Sequence, residues 1–317
     1  MGPAPWEDGG MQTRVLLLLA LPAAGKSEVR AYLDQLDAAG LADLGLGPQV
    51  HLDDYPYVHL MRRISAEMRR SGMPPAFFAD DRSPMLGPRD WGTLIMLLNE
   101  DYAALAGRPR PGSILDRFER ARSAIGAAAP FASIPGPHRD RIEAAIAEEV
   151  PSAPGPARDG STVVIEFARG GPEGAGMPLP PPLGYRHSLS LLDPEILSRA
   201  GILYVWVTPE ESRRRNRERA LPGPEGDASI LHHGVPEAVM RADYGVDDMA
   251  WLLETSGRPG LVTVEAGGRR FEVPAARFDN RDDATSFLRD DPASWPPGRV
   301  AALHSRLRSA LAPLRRR

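Results

Sequence analysis

Short uninterrupted runs of apolar residues alternate along the chain with apolar residues spaced three or four positions apart. An uninterrupted run is typical of a strand buried on both faces, and the wider spacing is typical of a helix. The run at 15–20 precedes a loop and then Val29, Leu33 and Leu36, which predict a helix over 27–39. The chain therefore opens with a strand, a loop and a helix. Later segments predict buried strands at 162–165 and 202–207, and Val50 and Leu52 predict a short strand at 50–52.

The long segment between the second and third predicted strands carries helical patterns instead. Helices are predicted at 58–70, 91–106, 114–127 and 139–150, with joints rich in proline and glycine between them. Residues 151–160 are predicted to be a linker, and 170–185 contain too much proline and glycine for regular structure. We expect disorder at 1–11 and a C-terminal helix with a basic tail at 291–317.

The loop after the first strand reads ALPAAGKS at 20–27. It matches the phosphate-binding pattern G-x-x-x-x-G-K-[ST], except that Ala20 replaces the first glycine. Such a loop surrounds phosphate oxygens with backbone N–H groups at the start of a helix. Lys26 would reach the β- and γ-phosphates, and Ser27 would hold Mg²⁺. Predicted nucleotide contacts are Pro22, Ala23, Ala24, Gly25, Lys26, Ser27 and Glu28.

Composition supports a special role for this lysine. Of the 38 lysine and arginine residues, Lys26 alone is lysine, and it stands where the phosphate-binding pattern requires one. If the first position of the loop needs a positive φ, Ala20 is strained there. The chain has no cysteine, which excludes disulfides, thiolate metal sites and a cysteine nucleophile.

A secretion signal is the alternative interpretation of the N-terminal run. Arg14, the apolar run and the small residues after it imitate such a signal, but the run is short and Glu7 and Asp8 precede it. A membrane span needs about 20 apolar residues, and Pro22 and Lys26 interrupt this run. We therefore expect a cytoplasmic protein without membrane contact. The net charge of −4 gives no overall attraction to nucleic acid, which disfavours that partner.

Two further strands end in acidic residues, within QVHLDDYPY at 49–57 and STVVIEFARGG at 161–171. The carboxyl ends of parallel strands form the ligand-binding edge of an open sheet. Together with the loop, these segments resemble the P-loop small-molecule kinases: adenylate kinase and shikimate kinase in the loop, and uridine kinase in the two acidic segments. The resemblance implies that Asp53 is the catalytic carboxylate near Mg²⁺, with Asp54 as the alternative, and that Glu166 supports the metal.

The segment TPEESRRRNRERAL at 208–221 predicts a helix capped by Thr208 and rich in arginine. It resembles the start of the lid of these kinases, whose arginines close over the transferred phosphoryl group. Arg214 and Arg217, three positions apart on one face, are the candidate catalytic arginines, and a solvated basic face is the alternative. Asp279-Asn280 resembles the late segment of these kinases near the adenine, although it is also ordinary turn chemistry.

The resemblance implies an α/β three-layer fold with a parallel sheet of about five strands. The nucleotide-binding core would comprise 12–56 and 160–290, with a helical acceptor-binding insertion at 57–159 and an arginine-rich lid at 208–245. The implied activity is transfer of the γ-phosphoryl group of ATP, with Mg²⁺, to a small-molecule acceptor, and the sequence leaves the acceptor and the oligomeric state open. A nucleotide-binding regulator or NTPase switch and a polynucleotide end kinase remain as alternatives.

Overall fold

Six strands form one sheet in the computed structural model, which describes residues 14–220 and 234–315. The order across the sheet is β2-β3-β1-β4-β6-β5, and every neighbouring pair is parallel except β6 and β5. The predicted α/β class and the largely parallel sheet are therefore confirmed. The strands are β1 (Val15–Leu19), β2 (Gln49–Asp53), β3 (Thr162–Phe167), β4 (Ala200–Trp206), β5 (Leu261–Ala266) and β6 (Arg269–Asp279).

The sheet has one strand more than the five expected. The extra strand is β5, which pairs with β6 as an antiparallel hairpin. The two residues between them, Gly267 and Gly268, have φ values of 55° and 71°. A two-residue hairpin turn with positive φ at both positions strongly prefers glycine, so the pair Gly-Gly explains where the chain reverses.

Twelve α-helices surround the sheet within the described ranges, and none of them is long and apolar enough to cross a membrane. The four helices predicted between the second and third strands are all present, with ends shifted by a few residues. The helices are α1 (Lys26–Asp34), α2 (Ala38–Asp43), α3 (Tyr55–Arg70), α4 (Asp90–Leu105), α5 (Ile114–Ala124), α6 (Gly136–Ile146), α7 (Gly184–Ser190), α8 (Pro194–Arg199), α9 (Pro209–Arg219), α10 (Glu237–Ala242), α11 (Met249–Thr255) and α12 (Pro297–Leu311).

Helices cover both faces of the sheet, so that β1 is buried throughout. Leu17 and Leu19 pack in a cluster with α4, α7, α8 and α11, whereas Leu16 and Leu18 pack on the other face with α1 and α12. This alternation is the reason for the uninterrupted apolar run in the sequence. A third cluster joins α3, α5, α6 and one side of α4. Thus α4 belongs both to the layer on the sheet and to the predicted helical insertion.

Several sequence predictions lie outside the described residues. These are the N-terminal segment 1–11, the part of the proposed lid at 221–233, and the last two residues of the basic tail.

Candidate functional site

The loop between β1 and α1 has a positive φ at two positions, but not at Ala20. Positive φ values occur at Ala23, 57°, and at Gly25, 113°. A Cβ atom at Gly25 would lie 2.5 Å from Nδ2 of Asn280, so this position requires glycine for its conformation and for space. The strain anticipated at Ala20 is therefore absent, and the loop places its one obligatory glycine directly before Lys26.

Helix α1 begins at Lys26, and its N-cap residue, Gly25, has no side chain that could cap the helix. The N–H groups of its first turn have no partner within the helix, which leaves them available to an anion. The Nζ atom of Lys26 lies 3.4 Å from the carbonyl oxygen of Ala20 and 4.0 Å from Oε1 of Glu166. Lys26 thus bends back across its own loop toward the end of β3.

Strand register brings two carboxylates to the same edge. Asp53 of β2 is paired with Glu166 of β3, and β3 is the neighbour of β1, whose end starts the loop. Arg30 lies between the two acids: its Nη1 donates to Oδ2 of Asp53 at 3.2 Å and to Oε2 of Glu166 at 3.3 Å. The backbone N–H of Tyr55 donates to Oδ1 of Asp53 at 2.9 Å. Both carboxylates are held in fixed orientations by these donors.

Asp54 has a different environment from Asp53. It is 6% exposed, and its Oδ2 accepts a hydrogen bond of 2.5 Å from Nη1 of Arg169, which is 1% exposed. Burial raises the pKa of Asp54, although the Arg169 guanidinium opposes this shift. Arg169 also donates to the Trp91 carbonyl oxygen at 3.1 Å. The buried pair therefore fastens the start of α3 to the loop after β3, and Asp53 is the more accessible acid.

A cavity of about 290 Å³ opens between the loop, the ends of β2 and β3, and helices α3 and α10. Its lining includes Lys26, Ser27, Asp53 and Glu166 together, so four predicted site residues share one space. Three other predicted contacts, Pro22, Ala23 and Gly25, also line it.

Glu166 is a strongly perturbed acid at the cavity. Burial and the neighbouring charge of Asp53 raise its pKa to about 7, and Lys26 and Arg30 only partly oppose them. Its ordinary value is 4.5. Perturbed carboxylates in clefts are typical of functional sites, although structural ion pairs also produce them.

The raised pKa of Glu166 predicts a pH-dependent stability. As pH rises from about 4.5 to 7, the unfolded chain releases this proton first, so ionisation favours unfolding and stability falls. For a shift of this size the loss approaches roughly 3 kcal/mol. Glu166→Gln removes the titration. In urea denaturation without nucleotide, we expect the free energy of unfolding of Glu166→Gln to rise relative to that of the natural chain between pH 5 and pH 8. If the difference in unfolding free energy between Glu166→Gln and the natural chain does not change with pH, the pKa of Glu166 is not raised.

Ser27, Asp53 and Glu166 fit the role of a magnesium site only in part. Mg²⁺ is bound in phosphate-transfer sites through one or two carboxylates and the substrate's phosphates. A hydroxyl and two carboxylates around one cavity match that donor set. No group of three or more histidine, cysteine or acidic side chains in 14–220 and 234–315 is arranged to hold a metal by itself. The metal would therefore need phosphate oxygens as well.

Glu28 and Asn280 lie beside the 20–27 loop, on the side away from the cavity. Glu28 is buried; burial alone would raise its pKa, but ion pairs with Arg219 and Arg289 hold that pKa below its usual value. The amide of Asn280 donates to the Ala24 carbonyl oxygen at 2.7 Å. Neither side chain lines the cavity. Their positions indicate that they fix the shape of the loop, and a nucleotide contact by either stays a prediction.

The arginines of α9 point in several directions. Thr208 caps the helix as predicted, accepting a hydrogen bond from the N–H of Glu211 at 3.2 Å. Arg214 is exposed and pairs with Glu211 and Glu218, and Arg217 is exposed with Glu237 at 3.7 Å. Both lie on the solvated face and away from the cavity lining.

Three arginines that were not among the predicted site residues line the cavity: Arg30, Arg62 and Arg219. Arg30 follows Lys26 by four positions on α1, so helical spacing alone could have placed both on one face. Arg219 reaches from the end of α9 to Glu28 at the base of α1, and only the packing of the two helices places it there.

The whole chain matches no family model, and it matches no curated protein.

Proposed function

We propose that the chain is a Mg²⁺- and ATP-dependent kinase that phosphorylates a small-molecule acceptor. The observation that carries the proposal is the shared cavity. It joins the start of α1, Lys26 and Ser27 to the carboxylates of Asp53 and Glu166 at the ends of adjacent parallel strands. Phosphate-binding and acid–base groups are the two components that phosphoryl transfer requires.

The start of α1 would hold the phosphates. Backbone N–H groups of its first turn, next to the tight backbone at Gly25, offer donors to phosphate oxygens. Lys26 needs only to leave the Ala20 carbonyl oxygen to reach a bound phosphate, because that contact is long at 3.4 Å. Arg30 and Arg219 add positive charge to the same cavity and would stabilise charge on the transferred group.

Ser27, Asp53 and Glu166 would hold the magnesium ion, which supplies charge neutralisation between the β- and γ-phosphates when it is bound. Ionised Glu166 is required for this role. Glu166 would bind the metal in its ionised form, which burial opposes and a neighbouring cation would favour.

Asp53 is the better candidate for the general base. Its side chain is 24% exposed at the cavity, whereas Asp54 is committed to the buried pair with Arg169. In the proposed step a hydroxyl of the acceptor gives its proton to Asp53 while its oxygen bonds to the γ-phosphorus. The bond from that phosphorus to the β,γ-bridging oxygen breaks, and ADP leaves.

The test is transfer of label from γ-labelled ATP, with Mg²⁺, into a bacterial metabolite extract. We expect one new labelled compound that appears with the natural chain and is absent with Lys26→Ala. Label released only as free phosphate would favour the NTPase switch. Label on added oligonucleotide ends, with salt-dependent binding, would favour the polynucleotide kinase. Absence of any label movement over the control contradicts phosphoryl transfer.

A further inference from the structure

Helix α3 presents one continuous face to the cavity. Tyr55, Val58 and Arg62 follow one another at three- and four-residue spacing, and all three line it. Tyr55 lies next to Asp53, at the polar end. Seven residues separate Tyr55 from Arg62, which is about 10 Å of helix. Arg62 therefore stands at the far end of the cavity from the proposed chemistry.

Arg62 is a partly buried cation without a carboxylate partner in the described ranges. Its Nη1 donates to the backbone carbonyl oxygens of Asp80 and Asp81, at 3.2 and 2.9 Å, and its guanidinium lies 3.9 Å from the ring centre of Phe78. These contacts orient the guanidinium group of Arg62 but do not pair its positive charge with a carboxylate of the described residues. The other arginines around the cavity differ, because Arg30 and Arg219 each have an acid within 4 Å.

The acids near Arg62 do not balance its burial. Asp80, Asp81 and Asp243 interact with it electrostatically, yet burial still lowers the pKa of Arg62. Asp243 is itself engaged, since its Oδ2 accepts a hydrogen bond from the Met85 N–H at 3.2 Å. Partial burial of an arginine without a carboxylate partner is unfavourable, and a ligand anion would offset that cost.

Apolar groups line the space between the two ends. Trp91 and Tyr244 pack edge to face at 5.4 Å between ring centres and form one wall of the cavity. Aliphatic side chains of α10 and of the residues just before it line the cavity next to them. Further apolar lining residues are Val58, Phe78, Val235, Pro236 and Val239.

From this arrangement we propose that the acceptor is an amphipathic hydroxy acid. Its hydroxyl lies at Asp53, its apolar or aromatic body against the wall of Trp91 and Tyr244, and its carboxylate on the guanidinium of Arg62. This inference rests on the proposed kinase function for the role of the hydroxyl. A carboxylate suits the site better than a phosphate dianion, because the single positive charge of Arg62 can neutralise a monoanion but not a dianion.

The test is equilibrium binding by calorimetry in the absence of nucleotide. The probe is 3-(4-hydroxymethylphenyl)propanoate, which carries a hydroxyl and a carboxylate at opposite ends of a ring, and the comparison is its neutral amide. We expect the natural chain to bind the acid about tenfold more tightly than the amide, since one charge-assisted hydrogen-bonding pair replaces a neutral one. In Arg62→Gln the ratio should fall to about one.

Arg63→Gln is the matched control. Arg63 is the neighbouring arginine on α3, but it pairs with Glu149 at 3.0 Å and does not line the cavity. It should keep the preference for the acid, and Arg62→Lys should keep part of it. A thermal melt of each variant checks folding, because Arg62 also holds the Asp80 and Asp81 carbonyl groups.

Equal affinity of the natural chain for acid and amide would overturn the proposal even if no variant folds, and so would failure of both probes to bind. A preference that survives in folded Arg62→Gln would overturn the role of Arg62. The binding measurement needs no ATP, so it is separate from the kinase test. Acid preference without phosphoryl transfer would leave an anion-binding site and refute the kinase. Transfer to a neutral acceptor would support the kinase and refute the hydroxy acid.

Discussion

Lys26→Ala should lower kcat/KM for phosphoryl transfer by about 10³-fold, which corresponds to about 4 kcal/mol of lost transition-state stabilisation. The side chain is the one cation that the 20–27 loop itself supplies, and it is 11% exposed between the Ala20 carbonyl oxygen and Glu166. Its ion pair with Glu166 is long, at 4.0 Å, so little is lost when the side chain moves to a phosphate. The measurement is steady-state ADP release with the acceptor identified by labelling.

Lys26→Arg separates charge from shape. Arginine keeps the positive charge but replaces a compact ammonium by a planar fork that needs more room beside the tight loop. We expect it to retain nucleotide affinity better than Lys26→Ala and still to transfer slowly. Binding of ATP is followed by calorimetry for both variants. If Lys26→Ala keeps more than a tenth of the natural transfer rate, Lys26 is not the phosphate-stabilising group.

Asp53→Asn should lower kcat by about 10²- to 10³-fold while ATP affinity changes only a few-fold. The change removes the proton acceptor, and general bases contribute about this much. Asparagine keeps a side-chain oxygen at the proposed magnesium site, where Ser27 and Glu166 are unchanged. It preserves the shape of the side chain, so the Tyr55 N–H can still donate to an oxygen at that position, and Arg30 retains Glu166 as its partner. Single-turnover transfer and calorimetric ATP binding separate the two effects.

Asp54→Asn is the contrasting variant for Asp53→Asn. It leaves the Arg169 guanidinium buried without its carboxylate, and breaking such a pair typically costs about 3–5 kcal/mol of stability. We therefore expect the main effect of Asp54→Asn in urea denaturation, and that of Asp53→Asn in the transfer step. If Asp53→Asn transfers at the natural rate while folded Asp54→Asn does not, the base is Asp54.

The pattern of apolar residues was sufficient for most of the local structure. Periodicity correctly predicted the strands at 15–20, 162–165 and 202–207 and the four helices before the third strand. Burial of one or two faces of an element requires apolar residues at a regular spacing, which can be read from the sequence. Strand β5 was missed because it is only six residues long. Its position is determined by the Gly-Gly turn and by pairing with β6, which the apolar pattern alone does not show. The packing of α4 on both the sheet and the helical cluster was also missed, as its apolar residues surround the helix.

Some features of the candidate site also follow from the sequence alone, whereas others depend on the tertiary structure. The sequence by itself placed Lys26 and Ser27 after a strand and Asp53 and Glu166 at strand ends, and parallel pairing then makes these residues neighbours. Only the tertiary structure decided that Asp54 is buried against Arg169, that Arg30 bridges the two acids and that Arg62 has no carboxylate partner within 14–220 and 234–315. It also placed Arg214 and Arg217 on a solvated face and Arg219 at the cavity.

The physical reason is the range of the interactions concerned. Strand ends and a loop that starts a helix are determined by neighbouring residues and by the burial pattern of a few turns. The pairing of a charged side chain depends on which distant element packs beside it, as when Arg169 meets Asp54 across 115 positions. A sequence with 37 arginines among its 38 basic residues offers many equivalent partners, so only packing selects those that face the cavity.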